Sequence, residues 1–151
     1  MAWLFFLLVL LAGAIYAAWI NFRAARNLRR FWDRPNTMSL WTQEFPMASG
    51  EVRLFLQLFN DAFVFSRKRV FCFAPGDRIA DIHRALYPDP GLAAGGERER
   101  FDRLLRHQFG VTLDAPTKPE ATLGELFRHL LAIQTRRREE GQGKDCPALD
   151  A

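Results

Sequence analysis

The sequence predicts a mainly α protein, in which an N-terminal transmembrane helix is followed by a small helical bundle. Three observations carry that reading. Every residue from Ala2 to Ile20 is apolar or small. Beyond it, apolar residues recur three and four apart in several separate stretches, the spacing of one helix face. Proline and glycine clusters then fall between those stretches rather than inside them, where they mark turns.

The first run, AWLFFLLVLLAGAIYAAWI, has 19 residues, and at about 1.5 Å per residue it spans roughly 28 Å, close to the hydrocarbon thickness of a bilayer. Trp3 and Trp19 stand at its two ends, where indole rings favour the membrane interface. The rival reading is a cleaved signal peptide with Ala12-Gly13-Ala14 as its small-residue site. A basic stretch before the apolar run, which a signal peptide wants, is missing, and the run continues past Ala14 into arginines. A retained anchor is therefore expected.

Five arginines (Arg23, Arg26, Arg29, Arg30 and Arg34) follow the run, with Asp33 as the one acid among residues 21–34. Positive flanks stay on the cytoplasmic side, so the expected topology is single-pass in the cell's inner (plasma) membrane, N-terminus out and the remainder cytoplasmic. Phe22, Ala25, Leu28 and Phe31/Trp32 keep helical spacing past the bilayer. Residues 1–33 thus read as an anchor with a basic juxtamembrane extension, and the five arginines, Arg34 included, are candidates for contact with anionic headgroups.

Residues 34–50, with two prolines, a glycine and small polar residues, read as a linker able to pack through Trp41 and Phe45. The cytoplasmic domain is expected over 51–135. Its first helix runs from about Glu51 to Phe65, with Val52, Phe55, Phe59 and Phe63 on one face. For 63–73 the alternative is a short β-hairpin, Phe63-Val64-Phe65 and Val70-Phe71-Cys72-Phe73 joined by Ser66-Arg67-Lys68-Arg69. After the Pro75-Gly76 break, Asp77 is the expected N-cap of a helix to about Tyr87 carrying Ile79, Ile82 and Leu86. Pro88-Asp89-Pro90-Gly91 ends it. The next helix, about Glu97 to Phe109, has acids in its first turn and Gly110 after its end. Thr122 and Glu125 form a capping-box pair for a final helix with Leu123, Leu126, Phe127, Leu130 and Leu131 on one face. Residues 136–151 are polar and read as a disordered tail.

Charge excludes one class of function. The net charge is +4, and residues 21–34 account for all of it, leaving 16 basic and 16 acidic residues of the chain's 21 and 17 elsewhere. A nucleic-acid binder spreads basic charge over a folded face, so no nucleic-acid partner is expected. Cys72 and Cys146 lie far apart with no CxxC spacing. Cys72, in an apolar run, reads as a small buried residue.

Residues 97–133 resemble the second half of an acyl carrier protein. Phe101, Leu105 and Phe109-Gly110-Val111 correspond to the end of that family's second helix, and Thr122-Leu123-Gly124-Glu125-Leu126 to the motif that opens its last helix. Asp77–Leu86 would then match the first helix, and the resemblance implies a four-helix, carrier-like bundle over about 60 residues. The position that carries the phosphopantetheine arm in the family falls at Gly95, and no serine occurs between Arg67 and Ala151. The second helix, acidic in carriers, here bears Arg98, Arg100, Arg103, Arg106 and His107. The resemblance therefore implies the fold without the prosthetic group, and no cofactor is expected.

Catalytic motifs are equally lacking. The histidines His83, His107 and His129 show no HxxxH or HExxH spacing, and there is no GxSxG, phosphate loop or GxGxxG. The chain reads as a non-enzyme: a membrane-anchored cytoplasmic adaptor or scaffold that binds a protein partner. Arg98, Arg103, Arg106 and His107 are the candidate partner surface, together with loop 88–96. The alternative is a regulatory or inhibitory subunit of a larger membrane complex, with Ala12, Gly13, Ala14, Ala17 and Ala18 allowing close helix approach in the bilayer.

Overall fold

A computed structural model describes residues 2–87, 96–111 and 120–142. The protein is mainly α, and among the described residues there are six α-helices and one 3₁₀ helix with no strand. Of the loop expected over 88–96, residues 88–95 lie outside the described residues, as do Cys146 and the tail beyond Gln142, whereas Gly96 is the first residue of a helix.

Helix α1 (Ala2–Trp32) is continuous. Its apolar N-terminal part is long and apolar enough to cross a membrane and touches nothing else in the fold. Its last turns behave differently. Ala24, Leu28 and Phe31, at i, i+4 and i+7, are buried against the domain, the stripe that one helix face presents. The extension is therefore part of the core rather than a free collar.

The segment 34–50, read as a linker, contains helix α2 (Met38–Glu44). Trp41 is wholly buried and its ring meets Phe45, Phe55 and Phe127 at 5.8, 6.0 and 5.9 Å. Helix α3 (Ser49–Ala62) runs through the centre and buries Val52, Phe55, Leu56 and Phe59. Phe55 and Phe59, one turn apart, both pack on Phe101 at 5.6 and 5.4 Å.

Helix α3 stops earlier than its apolar pattern suggests. The Phe65 N–H donates to the Asn60 carbonyl at 2.9 Å and the Val64 N–H to the Asp61 carbonyl at 3.4 Å. With Val64 at φ +56°, this is a Schellman closure, and Phe65 packs back on Phe59 at 6.4 Å. The hairpin alternative for 63–73 is overturned. Arg67–Cys72 form a 3₁₀ helix, and the carbonyls a strand would offer to a neighbour are taken by α2. Thr37 N–H donates to Phe71 O at 2.9 Å, and Phe73 O accepts from Thr37 Oγ1 at 2.7 Å and Trp41 Nε1 at 2.8 Å.

Helix α4 spans Ile79–Leu86 with Arg78 at the cap position, so Asp77 is not its N-cap. The Asp77 carboxylate instead accepts from the Ala74 N–H at 2.7 Å, closing the Pro75-Gly76 turn. The reason is competition from α1, because the same carboxylate is held by Arg34 (below). Helix α5 (Gly96–Phe109) buries Phe101 and Leu105 and ends at Gly110, φ +66°. Helix α6 (Leu123–Gln142) opens with the capping box: Thr122 N–H donates to Glu125 Oε2 at 2.8 Å, and Glu125 N–H to Thr122 Oγ1 at 3.2 Å. The Thr122 N–H, and after it the Thr122 side chain, hold the Glu125 carboxyl below its ordinary range. Arg78 and Thr122 meet in an isolated antiparallel bridge that pins the starts of α4 and α6 together. The helix continues through Arg136, Arg137 and Arg138 to Gln142, beyond the point where disorder was expected, and Arg137 donates to the Gly110 carbonyl.

A β-branched residue in the left-handed region costs on the order of 1–2 kcal/mol. Val64 is exposed, with nothing to gain from its side chain. Val64→Gly is therefore expected to stabilise the domain by about 1 kcal/mol, read as a higher urea midpoint by tryptophan fluorescence of the full chain in micelles. An unchanged or lower midpoint would show that the closure does not strain this residue.

Candidate functional site

The five arginines after the apolar run do not act as one group. Arg34 Nη1 contacts both Asp77 oxygens, at 2.7 and 2.9 Å. Asp77 is 8% exposed and Arg34 36%, so a nearly buried carboxylate is paired with a half-open guanidinium. Arg30 Nη2 donates to the Asp81 carbonyl at 3.2 Å, and both cations lie over the Phe31 ring at 4.7 and 5.2 Å. Arg30 thus clamps α4 to α1, and Arg34 clamps the turn before α4 to the residues just after α1. Arg23, Arg26 and Arg29 are exposed, and Arg23 sits over the Trp19 ring at 5.2 Å.

The candidate partner residues share α5. Arg98, Arg103, Arg106 and His107 are all exposed, but acids interleave with them. Asp102 pairs with Arg106 at 3.0 Å, and Glu99 is exposed beside them. The face is a charge mosaic rather than a basic patch. The Tyr87 hydroxyl donates to Glu97 at the start of α5, tying the end of α4 to that helix. Burial, then the bond to and charge of Glu97, push the Tyr87 phenol up to about 12.

Chemistry is sparse elsewhere. His83 packs on Tyr87 at 5.0 Å, while His107 and His129 face solvent. Cys72 lies against Trp32, its Sγ 4.0 Å from the Trp32 carbonyl, and burial raises its thiol although Arg69 opposes this. A raised pKa disfavours the reactive thiolate. Arg69 itself covers the Trp32 ring at 3.5 Å, a second cation joining the end of α1 to the 3₁₀ helix. A depression of about 340 Å³ beside it is lined by Gln57, Asp61, Arg67, Val70 and Phe71, with no histidine or thiol. Among the described residues, no three His, Cys, Asp or Glu side chains are grouped to hold a metal.

Comparison with protein-family models, with curated proteins and with solved structures yields no match. The site has to be read from its own geometry.

Sequence reasoning placed Arg34 at the membrane surface and missed its partner. No local pattern marks a pair 43 positions apart; the only sequence trace is a lone acid after Pro75-Gly76.

Two predictions follow the geometry. Asp77→Asn and Arg34→Gln should each destabilise the domain by about 1–2 kcal/mol, the size of a charge-assisted bond with one partner partly in water. A double-mutant cycle read by thermal unfolding should show the two losses overlapping; simple additivity would mean the pair is not coupled. For Tyr87, a folded pKa above the unfolded value makes its contribution complete below about pH 10 and lost as pH rises through about 12. In a Tyr16→Phe background, phenolate absorbance should rise near pH 12 in the folded chain, and Glu97→Gln should lower that midpoint. Titration at the free-phenol value would show that the Glu97 contact is absent.

Proposed function

We propose that this chain is a membrane-anchored cytoplasmic adaptor that binds a protein partner through its helical domain and acts without a prosthetic group or catalysis of its own. One observation carries the reading. The apolar helix runs without a break into the core, where Leu28 and Phe31 are buried and Arg34 grips Asp77, so the domain has a fixed stance on its anchor. A tether that merely localises a domain has no need of such a joint, whereas a docking platform gains from presenting one face reproducibly.

The arginine flank supports an orientation with the domain in the cytoplasm and the N-terminus outside the plasma membrane. The exposed side of α5, with Arg98, Arg103, Arg106 and His107 among Glu99 and Asp102, suits a partner of mixed charge, since matched opposite charges fix register and reject wrong partners. The carrier-like resemblance is consistent with a bundle that docks other proteins. An intact mass equal to that of the bare polypeptide would support the absence of an attached arm.

The test combines topology with contact. In native membranes the full-length chain should resist carbonate extraction, keep residues 1–14 in its intact mass, and expose α5 only on the cytoplasmic side. A photo-crosslinking residue at Arg103 should give a discrete adduct that disappears in Arg106→Glu, while the same probe at Thr42 gives none. Loss of residues 1–14 would replace the anchor with a cleaved signal. Adducts indifferent to probe position and charge would remove α5 as the docking face. The regulatory-subunit reading draws on the open flank of Gly13, where a Cβ would meet nothing; adducts from a probe at Gly13 alone would favour it.

A further inference from the structure

We infer that the domain stands on the bilayer with Tyr87 and the first turn of α5 at its lower end, and that Arg23 and Arg26 bind anionic phospholipid headgroups at that end. This rests on the anchor reading above and adds the orientation, the ligand and the residues that hold it.

The orientation follows from register. Arg34, two residues past α1, meets Asp77, two residues before α4, and Arg30 within α1 meets Asp81 within α4, so four residues back in the first segment match four residues forward in the second. The two helices lie side by side and antiparallel. Continued at the same step, Leu86 and Tyr87 come level with Ala25 and Ala24. Ala24 is the first residue of α1 that the domain buries, and it lies four residues, roughly 6 Å, past Ile20. A headgroup layer is roughly 5–8 Å thick. The lower end of α4 therefore meets the outer edge of the headgroups, and the Tyr87–Glu97 bond brings the first turn of α5 there too. The Asp77, Pro75 and Thr122 end points away from the membrane.

The same scale divides the arginines. Arg23 and Arg26 stand roughly 4–9 Å past Ile20, and side chains of a helix lean toward its N-terminus, here toward lipid. Arg23 shows that lean, with its guanidinium over Trp19. Long arginine stems allow the charge to reach phosphate oxygens while the helix stays upright. Arg29 is roughly 14 Å out, and Arg30 and Arg34 are engaged by α4. Two of the five arginines remain in reach of lipid phosphates.

The test uses the full-length chain with Cys72→Ala and Cys146→Ala, reconstituted in vesicles of phosphatidylcholine with or without phosphatidylglycerol. A fluorophore on Glu99→Cys should be strongly quenched by headgroup-labelled lipid, and one on Gly76→Cys, where a Cβ has open space, only weakly. Spin-labelled phosphatidylglycerol should associate in preference to phosphatidylcholine, and Arg23→Gln with Arg26→Gln should cut that preference by roughly fivefold per arginine at low salt. Arg29→Gln should leave it nearly unchanged. Equal quenching at 99 and 76, or a lipid preference insensitive to Arg23 and Arg26, overturns the inference while a chain that still floats with both vesicles keeps the anchor. A chain that floats with neither composition removes the anchor reading itself.

Discussion

One helix in this protein carries two surface patterns along a single axis. The first part of α1 is apolar on every side, as hydrocarbon demands. The last part is apolar on one face only, with Ala24, Leu28 and Phe31 inward and Arg23, Arg26 and Arg29 outward. Because no break separates the two regimes, the course of α1 fixes where its apolar part stands relative to everything packed on its last turns. Helix α4 lies along α1, the Asp77 turn leads into α4, and the Arg78–Thr122 bridge carries that placement to α6. Proline or glycine inserted near Asn21 would uncouple the domain from the apolar run without touching the core.

Within the domain, the polar hub is a single carbonyl. Phe73 O accepts from the Trp41 indole and the Thr37 hydroxyl inside a shell of aromatic rings. A buried donor without an acceptor costs on the order of 1–3 kcal/mol, so this one acceptor makes it feasible to bury Trp41 completely. The arrangement also explains the 3₁₀ helix. With its carbonyls turned to α2, residues 67–73 have no strand to pair with, and tight local bonds such as Arg69 N–H to Ser66 O at 2.8 Å complete the backbone.

The parts that could be read from sequence are those whose signal is local. The α6 capping box, the central stripe of α3 and the long apolar run each depend on residues within four positions of one another. The parts that could not be read depend on partners far away. Asp77 looks like a cap because it precedes a helix, but a carboxylate can serve only the donors that reach it, and Arg34 reaches it from 43 positions back. Residues 34–50 look like a linker because helix α2 is short and flanked by proline, although Trp41 makes it part of the core. Val64 hid the end of α3, since a left-handed closure on valine defies the usual glycine signal. For the candidate site the same rule held: the arginines were visible as a cluster, while their division into clamps and exposed charges required the fold.

That division bears on how a positive flank should be interpreted. Counted as a topology signal, the five arginines are equivalent. In the structure Arg34 is tied to a carboxylate and Arg30 to a carbonyl, contacts that form only once the domain has folded around α1. Before folding, all five charges are available together, as a topology signal requires. After folding, Arg30 and Arg34 become clamps, and Arg23, Arg26 and Arg29 remain exposed. Under the proposed topology the same residues would act in sequence, first setting which side of the membrane the domain folds on and then fixing how it stands there. Neutralising Arg34 should loosen the joint while leaving four positive charges after the apolar run, because Arg34 is the guanidinium that meets the Asp77 carboxylate.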